Sequence, residues 1–560
     1  MVDSITLAVI DSGLQQVCNE MDIAIERSSF CPVVSESLDR SSGVYSTTGE
    51  LIAQGETGLP LFVGSMQFTV QAAIRQYSEW EPGDIVMVND PYSSGTHLMD
   101  MKLVRPIFSE GKLFCFIADT AHWTDIGGMV PGGFAPTATE IFQEGIRIPP
   151  TKAYKAGVPN EEFLRLLMSN IRIPDERQAD LRSQVGALNV GEVRFSALLE
   201  KYGPETVREA ITELADRSEA NMRSLIEAVA DGTYTATAWL DSDGIDLEPL
   251  ELKVAVTVEG SDMTFDFSGS SPAVKGPLNT SFAALASAVL LHMKHVFHEV
   301  PISGGCFRPF HVNRADGTFL DATYPHAVSG CASEVTVRVG DAIFMALQPV
   351  LPDRIGATNF GTICNFTLSG FDPRKQRPFI MFNFSGGGYG GHGNADGLTN
   401  GASTISIAKS SSVEVLEHQN PILFERYALR EGSAGAGMHR GGFGVDIAVR
   451  ALVDQTASTV LADRGRSGPP GVDGGLPGAT TEVVWTLAGE EFRPPHITKA
   501  TGVVMKQGDV LRVRTPGGGG YGDPTSRDRD AVRSDIDNGY LDEDQANEIY
   551  GPTEAVERTS

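Results

Sequence analysis

T-Y-T-A-T-A-W-L at 233–240, L-K-V-A-V-T-V at 252–258 and T-F-D-F-S-G-S at 264–270 alternate between apolar and polar residues with a period of two. That period lays one face of an extended chain on a core and turns the other to solvent, so the block reads as antiparallel β-structure. Immediately upstream, across 159–231, apolar residues return at helical intervals instead. Phe163, Leu164, Leu166 and Leu167 form one stripe, and Val207, Ile211, Leu214, Met222, Leu225 and Val229 form another. Segregated helices and strands define an α+β fold class, multi-lobed, with packed helices in the middle third and a β-rich second half.

Outward from this boundary, Ile5, Val9, Ile10, Leu14 and Val17 predict a helix over 3–30 that ends at Cys31-Pro32. A hairpin is expected around Thr48-Gly49, with short strands at 84–89 and 113–117. Downstream, 282–297 reads as an apolar helix bearing His292 and His295, and from about 300 glycine-rich turns separate β-like runs. The expected organisation is a metal-site region at 1–155, a helical region at 156–231, a β-rich region at 232–525 and an acidic helical tail at 526–560.

The 560 residues exceed what one core organises, so several packed units are expected. A net charge of −28 repels phosphate backbones and anionic lipid, which argues against nucleic-acid and membrane partners. No apolar run is long enough to span a bilayer, and M-V-D-S-I-T-L lacks the basic and apolar regions of a signal peptide. Six cysteines without C-x-x-C pairing read as reduced, mostly buried thiols of a cytoplasmic protein.

The densest chemistry lies at 89–128, where N-D-P-Y-S-S-G-T-H-L-M-D at 89–100 is followed by H-W-T-D-I-G-G at 122–128. His97, Asp100, His122 and Asp125 offer imidazole nitrogens and carboxylate oxygens, the usual protein donors to a divalent metal. Alone, H-x-x-D reads as a capped turn with a hydrogen-bonded histidine; the second histidine with its carboxylate strengthens the metal reading without displacing that one. The glycine runs at 386–393 and 517–522 lack the Lys-Ser/Thr ending of a phosphate loop and read as tight turns and close packing. His292, His295 and His298 sit in an apolar setting that suits core or interface histidines. Ser268 lacks a nucleophile elbow, and neither Cys306 nor Cys331 has a supporting base in the sequence.

Taken together, S-F-C-P-V-V-S-E-S-L-D-R-S-S-G-V-Y-S at 29–46, the two motifs above, A-T-E-I-F-Q-E-G-I-R-I-P-P at 138–150, F-S-G-S-S-P-x-x-x-G-P-L-N at 267–279 and P-G-G-G-G-Y-G-D-P at 516–524 resemble the hydantoinase B family over nearly the whole chain. That family includes subunits of ATP-dependent lactam and hydantoin hydrolases, the C-terminal half of 5-oxoprolinase, and subunits of acetone and acetophenone carboxylases. The resemblance implies a metal held by Asp39, His97, Asp100 and His122, with Asp125 orienting a ligand or handling protons. Two histidines and two carboxylates suit Zn²⁺, Mn²⁺ or Fe²⁺, with zinc favoured. It also implies that ATP is bound by a separate hydantoinase A-type, ATPase-like subunit, in an α₂β₂ assembly. The expected function is ATP-dependent hydrolysis of a small cyclic amide such as a hydantoin, 5-oxoproline or caprolactam. The alternatives are a ketone carboxylase subunit and a metal-stabilised scaffold without catalysis.

Overall fold

The computed structural model describes residues 2–552, so the last eight residues of the expected 526–560 tail lie outside the described chain. Its first sheet has seven antiparallel strands. The five that matter for the site are β1 (Arg40–Tyr45), β2 (Leu51–Gln54), β3 (Ile85–Val88), β4 (Asp100–Ser109) and β5 (Lys112–His122), in the spatial order β2-β1-β5-β4-β3. β3 and β5 are buried along most of their length, which is why 84–89 and 113–117 read as apolar runs rather than as alternation.

Helix α1 (Ser4–Ser28) starts where the Asp3 carboxylate accepts the backbone N–H groups of Ile5 and Thr6. Its buried stripe is Leu7, Ile10, Leu14, Val17, Met21 and Ile25. Ile5 and Val9, expected in that stripe, face solvent instead. The helix Pro174–Tyr202 crosses α1, and Gly191 admits Met21 at the crossing, where any β-carbon would overlap the Met21 sulfur.

The block that set the fold class pairs as expected. Gly232–Leu240 and Leu250–Glu259 form an antiparallel ladder from Gly232↔Val258 to Leu240↔Leu250, extended by Asp262–Asp266. Residues 365–514 build two further antiparallel sheets around a second core of Phe366, Leu368, Ile447, Val449, Trp485 and Val513. Within this β-rich half the helix Phe282–Val296 appears where expected, but Thr336–Leu347 is a second helix that the glycine and β-like texture conceals. It is buried on almost every face, its polar residues Thr336, Arg338 and Asp341 included, so those residues mark no solvent side.

The glycine runs make close backbone contacts. A β-carbon on Gly388 would overlap the Gly442 carbonyl oxygen, and one on Gly518 would overlap that of Tyr389, so the strands of glycine at 386–397, 432–444 and 516–522 lie directly against one another. All six thiols are free and buried. Arg529–Asp537 and Glu543–Tyr550 form two short helices closed by Val532, Ala546 and Tyr550. Among the described residues no helix is long and apolar enough to cross a membrane.

Candidate metal centre

Three neighbouring strands end at one place. Asp100 opens β4, His122 closes β5 directly opposite it, and the His122 amide donates to the carbonyl of Asp39, the residue before β1. His97 reaches the same point from the turn before β4, where the Asp100 amide donates to its carbonyl. One ligating atom each from His97, Asp100 and His122 lies within 4.8 Å of the others. Asp39 stands just outside that tight group and approaches it through His122, whose Nδ1 is 3.7 Å from the Asp39 Oδ2 and 3.6 Å from the Asp100 Oδ1.

These residues are buried, at 6 % exposure or less. His97 Nδ1 and His122 Nε2 have no hydrogen-bond partner, a costly condition for buried polar atoms and the one expected of nitrogens reserved for a cation. Burial pushes the Asp39 carboxyl up to about 7, with His122 opposing the rise and Asp100 adding to it. Burial also holds the His97 imidazole down at about 4, against the attraction of Asp100, so the ring is neutral and its lone pair free near pH 7. For Asp100, burial acts to raise the carboxyl, but His97 and a hydrogen bond from His122 keep it below the usual carboxylate range. Two carboxylates sharing one buried point repel, and a divalent cation relieves that repulsion; the donor set fits one.

The surrounding motifs hold this arrangement. Arg40 is fully buried and pairs with Asp22 at 3.2 Å and Glu26 at 2.9 Å, both on α1, which anchors the segment carrying Asp39. Leu38 is forced to φ 64, a strained value for a branched side chain, and turns the chain so that Asp39 faces the pocket. Beyond His122, Trp123 Nε1 donates to Gln184 at 3.1 Å and Arg177 donates to Thr124 at 2.7 Å, so the helix Pro174–Tyr202 grips the motif. Asn89 donates to the carbonyls of Leu98 and Ile146 and accepts from the Ile148 amide, interlocking the 89–100 and 138–150 motifs. Glu144 accepts the amides of Val328 and Ser329.

Asp125 does not join the cluster. Its oxygens accept from the Arg172 amide at 2.7 Å and the Arg172 guanidinium at 2.8 Å, and it does not line the pocket. The proton-handling role expected for Asp125 has no geometric basis here, because both oxygens are already committed to a cation and an amide. Among the other candidates set aside by sequence, Cys331 donates to the Thr96 carbonyl and burial pushes its thiol well up. His292 is buried in its helix, as read, whereas His295 on the same helix is exposed; both bond to Thr404.

The rest of the pocket joins Leu59, Leu61, Phe62 and Phe134 to residues from the second half of the chain, which sequence spacing could not bring together. Phe134 stacks on His122 at 6.0 Å, Phe382 lies 5.6 Å from the same ring and Phe384 packs on Phe382 at 4.7 Å, giving the cluster an aromatic cage. Asn365 Nδ2 and Ser333 Oγ are buried and unpartnered, and both residues line the pocket. Asn365 follows Cys364, which is held at φ 49, so strained backbone precedes a pocket residue on this wall as Leu38 does on the other. The one signal of this wall in the sequence is F-N-F-S at 382–385, directly before a glycine run that reads as tight turns.

A family model described as Hydantoinase B/oxoprolinase matches residues 3–524. The chain is 32% identical to the beta subunit of the caprolactamase of Pseudomonas jessenii over 98% of its own length and 96% of that protein. Superposed on the crystal structure of the ATP-dependent caprolactamase from Pseudomonas jessenii, it gives a TM-score of 0.92 at 30% identity, covering 98% of this chain and 96% of that one. It is 29% identical to a subunit of a putative D-/L-hydantoinase from a Pseudomonas species, over 99% of this chain and 95% of the relative. The nucleotide-free structure of acetone carboxylase shares the fold, with a TM-score of 0.90 at 18% identity over 98% of this chain and 79% of that chain.

Proposed function

The chain belongs to the Hydantoinase B/oxoprolinase family, and from that membership we propose that it is the metal-holding subunit of an ATP-dependent cyclic amide hydrolase. The observation that carries the reading is the convergence of His97, Asp100 and His122, with two ring nitrogens buried and unpaired beside two carboxylates. Asp39, His97, Asp100 and His122 would hold a divalent ion, zinc by donor chemistry. When bound, such an ion polarises an amide carbonyl and lowers the pKa of a coordinated water.

The chain's own residues do the remaining work. Neutral His97 and ionised Asp100 are ready to ligate without first losing a proton, whereas Asp39 must shed one, so Asp39 sets the pH dependence of loading. Phe134, Phe382 and Phe384 exclude bulk water and lower the local dielectric, which strengthens each polar contact to a bound amide. Asn365 Nδ2 and Ser333 Oγ, unpaired and facing inward, would donate to the substrate carbonyl from the opposite wall. Asp125 acts as a positioning residue, holding the 122–128 loop to Arg172.

The relatives are named as subunits, one of a caprolactamase and one of a hydantoinase, and those names support a partner chain; we propose that this partner is of the ATPase-like type that binds ATP, in an α₂β₂ assembly. Reconstitution with that partner tests the reading. ATP-dependent ring opening of a cyclic amide, tried on hydantoins, 5-oxoproline and caprolactam, should yield a product with no added carbon. Incorporation of labelled bicarbonate into a carboxylate would replace it with the ketone carboxylase reading. Turnover unchanged in Asp39→Ala, His97→Ala and His122→Ala would leave a scaffold.

A further inference from the structure

A cavity of about 520 Å³ lies in front of the metal pocket and shares Ile363, Phe384 and Ser406 with it. Its outer wall is the irregular strap 403–412, S-T-I-S-I-A-K-S-S-S. The described lining carries one cation, Lys409, and no carboxylate, which reverses the sign of a chain whose net charge is −28. Among the described residues the Lys409 ammonium forms no ion pair. Ser403 is 4 % exposed, and its hydroxyl has no hydrogen-bond partner although it lines the cavity. The neighbouring hydroxyls are occupied: Ser410 donates to the Phe384 carbonyl and accepts from Tyr427, Ser411 meets Ser37 at 3.0 Å, and Ser412 donates to Glu414. Ser406 accepts from the Ala408 amide, so Lys409, Ser403 and the Ser406 hydroxyl are the uncommitted donors of this wall, and Lys409 is the charged one.

The division of charge between the two compartments decides what each accepts. In the inner pocket Asp39 and Asp100 offset the charge of a bound divalent ion within an aromatic cage, whereas the outer cavity presents the uncompensated charge of Lys409 to an anionic group. We infer that the strap 403–412 forms an oxyanion-binding antechamber, in which Lys409 and Ser403 hold the phosphoryl or carboxylate group of the compound opened at the metal pocket. This rests on the reading of that pocket as the site of ring opening. A phosphoryl group is what ATP adds to an amide oxygen, and a carboxylate is what hydrolysis leaves, so both sources present the same chemistry here. The strap is tied to the metal site: Thr404 is held by His292 at 2.9 Å and His295 at 2.7 Å, and the Lys409 amide donates to the carbonyl of Ser37, two residues before Asp39. An anion drawing Lys409 inward therefore bears on the loop that carries a ligand.

The test titrates inorganic phosphate and acetate separately into the full chain by calorimetry, on the metal-loaded protein and on Lys409→Gln, Lys409→Arg, Ser403→Ala and His122→Ala. At least one anion should bind saturably. Lys409→Gln should weaken it about tenfold or more, the loss of one charged hydrogen bond, Ser403→Ala about threefold, and Lys409→Arg should restore most of it. Preference for phosphate assigns the phosphoryl source, and preference for acetate the carboxylate. Wild-type affinity in Lys409→Gln, affinity lost with the metal in His122→Ala, or no saturable binding of either anion overturns the inference. Metal content measured on each sample separates the two readings. A chain that binds phosphate through Lys409 but no metal keeps the antechamber and loses the metal centre, and the reverse result does the opposite.

Discussion

At Asp39 a proton and a metal compete for one carboxylate. Burial places its proton loss near 7, so metal affinity should rise as pH increases through that value and fall below it, because a protonated Asp39 must lose its proton to ligate. His97 adds nothing to this slope above its own value of about 4. Calorimetric titration with zinc between about pH 5 and pH 8, in buffers of different ionisation enthalpy, should register uptake of up to one proton by the buffer at the acid end. A flat profile would remove Asp39 from the ligand set. Asp125→Asn makes the complementary case. It breaks a pair whose Asp is buried and whose Arg is one-third exposed, so about 1–2 kcal/mol of stability should be lost in denaturant unfolding, with metal content retained. His97, Asp100 and His122 are legible in the sequence because all three lie within one window and one hairpin. Asp39 is reached only through the resemblance, since nothing local reveals that β1 lies beside β5. The partner of Asp125, Arg172, and the wall residues Asn365, Phe382 and Phe384 come from distant segments that no spacing connects.

The elements that hold these residues show why composition misleads where it does. A glycine-rich texture reads as turns between strands, yet its main role is layering of backbone on backbone. Gly388→Ala should therefore lose about 3 kcal/mol, because the obstacle is a carbonyl of a neighbouring strand of glycine that has no rotamer to yield. Gly489→Ala should lose only about 1 kcal/mol, since its φ of 88 is strained for alanine but nothing stands within 4 Å. Equal losses in thermal unfolding would refute the layering argument. The helix Thr336–Leu347 escapes a sequence reading because its polar Thr336, Arg338 and Asp341 are buried with its apolar residues amid glycine- and β-like sequence, whereas 204–226 turns one face to solvent. His292 and His295, core histidines by their setting, also tether the strap to the helix Phe282–Val296. In His292→Ala the amides of 403–412 should exchange hydrogen faster while those of α1 are unchanged, a local loosening visible by mass spectrometry.

Across the whole molecule the two halves meet at the metal pocket. The large core that packs α1 and the first sheet also takes in residues between 285 and 355 together with Phe382, Ile405 and Leu461, so the two halves share one core with the cage over His122 at their junction. A cation bound there contacts side chains set by strands of the first sheet beneath a lid supplied by the second half. Its binding energy is therefore available only to the state in which the two halves are assembled. At a free zinc concentration a hundred times its Kd, linkage adds about 2.7 kcal/mol to that assembled state. For a chain of this length the shift in Tm should be a few degrees at most, and it should appear in both halves. Scanning calorimetry with zinc and with chelator should show the shift in wild type and none in His122→Ala. Tryptophan provides the second reading: Trp123 sits beside the ligands and Trp485 in the core of the second half, each fully buried. Two variants that each keep only Trp123 or only Trp485, with the other three of the four tryptophans replaced by phenylalanine, should report the same zinc-dependent rise. A rise at Trp123 alone would mean that the metal stabilises the first sheet without the lid, and the cage would then be packing rather than part of the site.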